Sequence, residues 1–146
     1  MSTPVLSLLF IATILLSACS SDMPLLNKDL QSYINTQQAL AADDFPTAQQ
    51  ALNNLHQQVE PAIMPLVQKA AQAQDLKAMR QAFRPLSAHM TNQPIPDGLV
   101  LAYCPMVEGN KTAYWFQYEG DIMNPYFGDA MLHCGGFLTS KDETDQ

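Results

Sequence analysis

The chain has 146 residues, with 14 Asp and Glu against 7 Lys and Arg, for a formal net charge of −7. A nucleic-acid binder needs a positive face to neutralise phosphates, and no basic cluster appears anywhere in this sequence, so nucleic acid is excluded as a partner. The same acidity excludes attraction to anionic lipid by charge, and the length allows one domain with one modest core.

Val5 to Leu16 is an almost unbroken apolar run, followed by Leu16-Ser17-Ala18-Cys19. A run this short, closed by small residues, reads as the h-region and cleavage site of an export signal; a transmembrane span needs about 20 apolar residues. Leu-Ser-Ala-Cys resembles a bacterial lipobox. The resemblance implies a signal peptide over residues 1–18, cleavage before Cys19, a diacylglyceryl thioether on its sulfur and a further acyl chain such as palmitate on its new amino group. Met1 to Phe10 has no Lys or Arg, so the charge of the n-region rests on the amino terminus alone. Each buried methylene contributes about 0.8 kcal/mol, so the acyl strands on Cys19 would tether a soluble domain to the bilayer. Ser20 stands where an inner-membrane retention signal has aspartate. The expected location is therefore the outer membrane, facing the periplasm.

Residues 19–27 read as a polar, Pro-containing tether to a single domain over 28–139, with a frayed, charged tail over 140–146. Leu26, Leu30, Tyr33, Ile34, Gln37 and Ala41 recur at the three- and four-residue steps of an amphipathic helix. Asp43-Asp44-Phe45-Pro46 breaks it. Ala48, Ala51, Leu52, Leu55 and Val59 predict a second helix, and Ile63, Leu66, Val67, Ala70 and Ala71 a third. Asp75 is the expected N-cap of a fourth, in which Leu76, Met79, Phe83, Leu86 and Met90 face inward and Pro85 introduces a kink. His56 lies on a polar face beside Gln57 and Gln58 and reads as a solvent-exposed surface residue. His89-Met90 ends the fourth helix, and Met90 continues its apolar stripe.

Thr91 to Gly98, with Pro94, Pro96 and an Asp97-Gly98 turn, is a linker. Leu99 to Tyr103 then reads as a strand, and the aromatic-rich Thr112 to Tyr118 as its hairpin partner. The fold class expected is mainly α within α+β: a small antiparallel helical bundle with a C-terminal β-hairpin and a Gly-rich cysteine motif.

That motif carries the chemistry. It runs Cys104-Pro105-Met106, Trp115, Asn124-Pro125-Tyr126-Phe127-Gly128, then Met131-Leu132-His133-Cys134-Gly135-Gly136. The pattern resembles a domain of unknown function fused to the C-terminal end of some periplasmic adaptors of heavy-metal efflux pumps, which also occurs alone in exported bacterial proteins. The likeness extends upstream to Leu40, Asp43 and Asp44 and to the Arg80, Phe83 step. It implies a metal-handling context, with a metal-efflux or other envelope protein as partner.

Read as chemistry, Cys104 and Met106 would share one face of an extended segment, and Met131 and Cys134 one face of a helical segment. With His133 these residues form a thiolate, thioether and imidazole set that suits Cu(I) or Ag(I). Gly128, Gly135 and Gly136 would let the backbone turn around such a site. Zinc through Cys104, His133 and Cys134 lacks an obvious fourth ligand. An equally concrete reading is a Cys104–Cys134 disulfide, because export favours oxidation, with Trp115, Tyr126 and Phe127 as core. Those aromatics are alternatively anchors for a docking partner. A third reading is a pair bridged when empty and metal-binding when reduced. Neighbours such as His133 and Cys134 point apart, and neither a Cys-x-x-Cys pair nor a phosphate loop is present, so the chain reads as a non-enzyme.

Overall fold

The computed structural model describes residues 27–138. The signal peptide, Cys19 and the tail over 140–146 lie outside them. Four helices precede a small sheet: α1 (Lys28–Ala41), α2 (Phe45–His56), α3 (Met64–Ala71) and α4 (Leu76–Thr91), then β1 (Leu99–Val107), β2 (Lys111–Tyr118) and β3 (Gly136–Phe137). A single 3-10 turn, Gly128–Ala130, separates β2 from β3. The architecture is α+β. No helix among the described residues is long and apolar enough to cross a membrane.

Local chemistry sets the helix boundaries. Asp44 caps α2 by accepting from the Thr47 amide at 3.1 Å, and Asp75 caps α4 by accepting from the Ala78 amide at 2.8 Å. Such a cap satisfies one of the amides a helix leaves unpaired at its start. Pro46 falls in the first turn of α2, where a missing amide costs nothing. Pro85 lies inside α4, and the helix runs through it unbroken.

α1 ends differently. The Asp43 amide donates to the Leu40 carbonyl and the Asp44 amide to the Ala39 carbonyl, the paired bonds of a Schellman ending. The left-handed residue of that ending is usually glycine, and here it is Asp43 at φ 57°. Asp tolerates this region better than most side chains do; the reason for a carboxylate there emerges at the site.

The sheet has strand order β2-β1-β3, antiparallel throughout. Ala102 pairs with Trp115 and Cys104 with Ala113, so these four share the face on which all are buried. The short third strand, absent from the sequence reading, pairs Gly136 with Tyr103 and Phe137 with Ala102. It carries the end of the cysteine motif back alongside β1.

β2 is an edge strand, and edges leave amides and carbonyls unpaired. Here hydroxyls projecting from other parts of the chain cover the edge. The Phe116 amide donates to Tyr33 Oη at 3.2 Å, Tyr33 Oη lies 2.6 Å from Ser87 Oγ, and Ser87 Oγ donates to the Tyr114 carbonyl at 2.8 Å. Tyr126 Oη donates to the same carbonyl at 3.0 Å. Burial raises the pKa of both tyrosines well above the ordinary value, so they stay protonated donors into the alkaline range. The helices are thus fastened to the sheet by polar bonds as well as by the apolar core around Phe83, Leu86, Trp115 and Phe116.

Candidate functional site

Cys104 lies on the buried face of β1 with no solvent exposure, and Cys134 sits half-buried in the loop before β3. The two sulfurs are 3.2 Å apart. Chain segments 30 residues apart are therefore brought to sulfur–sulfur contact. The Cys104 thiol, hydrogen-bonded to Cys134, holds the Cys134 thiol above its ordinary pKa, with burial and the neighbouring sulfur's charge acting in the same direction. A thiol held protonated is a poor nucleophile and a poor ligand until its proton is displaced.

Asn124 positions Cys134. Its side-chain Nδ2 donates to the Cys134 carbonyl at 2.7 Å, and its backbone amide donates to the Leu132 carbonyl at 2.8 Å. Its Oδ1 accepts from the Tyr126 amide at 2.8 Å, closing a local turn over Pro125. Asn124 itself is fully buried. Gly135, at φ 141°, follows at a point where a Cβ would run into the Tyr103 carbonyl and reach Trp115, so the loop lies directly on the sheet. Gln117 holds its start: Oε1 accepts from Trp115 Nε1 at 2.9 Å and from the Met123 amide at 3.0 Å, while Nε2 donates to the Asp121 carbonyl at 2.9 Å.

The far end of the loop is locked to the helices. Arg80 donates to the Asp43 carboxylate, to the Leu40 carbonyl at 2.7 Å and to the Pro125 carbonyl at 3.0 Å. The other oxygen of Asp43 accepts from the Asp129 amide at 3.0 Å. The Arg80 guanidinium and the Asp129 amide hold the Asp43 carboxyl below the usual carboxylate range. Gly128, at φ 55°, sits against this pair, and a Cβ there would overlap the Asp43 carboxylate and the Arg80 guanidinium. Asp43 therefore occupies the left-handed position of α1 because its carboxylate is needed to fasten the loop. The Asp43-Asp44 turn, the Arg80 step and Asn-Pro-Tyr-Phe-Gly, separate in sequence, form one contact.

The rest of the expected ligand set is dispersed. Met106 does not share the face of Cys104. The register of β1 and β2 shifts between Cys104 and Val107; this irregularity puts Val107 on the core side and leaves Met106 48% exposed. The segment around Met131 and Cys134 is a turn rather than a helix, with Met131 half-buried. His133 is exposed, with Nδ1 2.8 Å from the Ile122 carbonyl, so that nitrogen carries the hydrogen it donates. Among the described residues no group of three or more His, Cys, Asp or Glu side chains is placed to hold a metal ion.

The aromatic residues expected as docking anchors divide as well. Trp115 is fully buried and Tyr126 nearly so, packed edge to face at 5.9 Å. This corrects the expectation of Trp115 as a surface anchor: the loop over 121–135 covers the face of β2 that bears it. Phe127 alone is half-buried. Sequence reasoning missed Gln117, Tyr33 and Ser87 as bond-forming residues, because a polar side chain on a strand or helix gives no periodic signal of its partner. Compared with known proteins, the chain matches no family model, no curated protein and no solved structure.

Proposed function

We propose that this chain is a lipid-anchored protein of the bacterial envelope, held at the outer membrane through acylated Cys19, and that it is a structural or partner-docking module rather than an enzyme. The four helices, as a small antiparallel bundle, form its scaffold, and a Cys104–Cys134 disulfide staples the last loop to the sheet. The observation supporting the staple is the 3.2 Å separation of the two sulfurs, against about 2.0 Å in a disulfide bond. Loss of two protons and two electrons to an envelope dithiol oxidant, itself reduced from disulfide to dithiol, would join them. Closing a loop of about 30 residues contributes roughly 3–4 kcal/mol.

The same pair supports a second reading for the reduced protein. Two neighbouring thiolates suit a soft monovalent ion, Cu(I) or Ag(I), which they would hold between them once the sulfurs move apart. Neither Met106 nor His133 Nδ1 is placed to complete a higher-coordinate site, so the staple is the reading preferred. Cys104→Ser and Cys134→Ser variants, each purified without reductant, separate the two. The staple predicts that each variant unfolds at markedly lower denaturant than the parent, and that reductant lowers the parent to their level. Parent and variants equally stable without reductant, with about one Cu(I) taken up by the parent alone, would favour the metal site.

A further inference from the structure

We propose that the cleft between α4 and the Val107–Glu108 end of β1 is a binding site for a small organic carboxylate with an apolar body, whatever the state of the cysteines. The cleft has a volume of about 260 Å³. In a chain of net charge −7, three of the seven Lys and Arg residues line it: Lys77, Arg80 and Arg84, which share one face of α4 by their helical spacing. Arg80 is consumed by Asp43 and two carbonyls and serves as wall. Arg84 has one contact, to Glu108 at 3.2 Å, with both side chains in reach of solvent. Lys77 has no ion pair among the described residues. Lys77 is thus left to an incoming anion, and Arg84 becomes available once Glu108 is displaced.

The opposite wall is apolar, built of Val107, Tyr126 and Phe127. A cavity of about 150 Å³ holds a benzene ring, so this cleft has room for a ring and a short chain. Arg84 offers the fork that a carboxylate matches bidentately. Glu108 is the built-in competitor: its carboxylate occupies Arg84 in the empty protein and must be displaced. A divalent cation is disfavoured by the basic rim, and a compact phosphate would leave the aromatic wall uncovered while meeting Glu108.

The test is titration of the full-length, ¹⁵N-labelled chain in non-ionic detergent with 3-phenylpropionate, followed by amide NMR shifts, with 3-phenylpropylamine as the charge-reversed control. The proposal expects saturable shifts over residues 77–84, 107–108 and 127, and none that saturate with the amine. The double substitution Lys77→Gln, Arg84→Gln, at exposed and half-exposed positions, should weaken binding about tenfold, while Glu108→Gln should tighten it about threefold. An equal response to the amine, unchanged affinity in the double variant, or weaker binding in Glu108→Gln would overturn the proposal.

Discussion

Asp43 and Asp44 are neighbours in sequence and belong to two differently built regions of the molecule. Asp44 accepts from Thr47, three residues on, and starts a helix whose apolar stripe is continuous with its neighbours. Asp43 accepts from Asp129, 86 residues away, and from Arg80 on α4. The helical region is assembled from local caps and apolar faces, each helix packed on the next in chain order. The region from Gly120 to Leu138 has little regular structure and is held by side chains that bind its backbone: Gln37 and Arg80 from the helices, Gln117 from β2 and Asn124 from within the loop. A segment with few ladder bonds must have its polar groups satisfied by side chains, and the polar residues of this motif serve that end. Among the described residues no buried side-chain nitrogen or oxygen lacks a partner.

The loop depends most strongly on Asn124. Asn124→Ala leaves the Cys134 carbonyl and Tyr126 amide without their buried partner, and two such groups cost about 2–4 kcal/mol. Denaturant unfolding should show that loss, and hydrogen exchange should show the 121–135 amides opening while α1 to α3 stay protected. Unchanged loop protection would contradict the assignment of Asn124 as its anchor.

A smaller and more pointed contrast comes from the aspartate pair. Asp43→Asn keeps a residue that accepts the left-handed conformation but removes the charge facing the partly buried Arg80. It should cost about 1–3 kcal/mol. Asp44→Ala removes only an exposed helix cap, so it should cost less than Asp43→Asn and should loosen α2 alone. Acid acts in the same direction on both. Their pKa values are lowered in the folded chain from an ordinary 3.8, so their stabilisation is present above that pH and is lost as pH falls through the depressed values. In Asp43→Asn the acid-induced loss should be reduced; equal costs for the two substitutions, measured by thermal unfolding, would erase the distinction between local and long-range roles.

The same distinction sets what could be read from the sequence. The helices were legible because Leu52, Leu55, Met79 and Phe83 repeat at helical spacing and Asp44 and Asp75 mark starts. The pairing of β1 with β2 was legible in the apolar run at Leu99 and the aromatic run around Trp115. Met106 was placed wrongly on the face of Cys104, since alternation counts residues and a register shift spends one invisibly. β3 was missed because two residues beside Gly135 give no strand pattern. Asp43 reads from the sequence only as part of a helix break and Arg80 only within the resemblance, since a bond between residues 37 apart leaves no mark in either one's surroundings.

The most direct measurement is the thiol state of Cys104 and Cys134 in the protein extracted from its native cells under thiol-blocking conditions, read by peptide mass mapping. A stapled protein yields one cross-linked peptide pair containing Cys104 and Cys134, two hydrogen masses lighter than its reduced parts, with neither thiol blocked. Both thiols blocked on the freshly extracted protein, with no cross-linked pair, would contradict the staple.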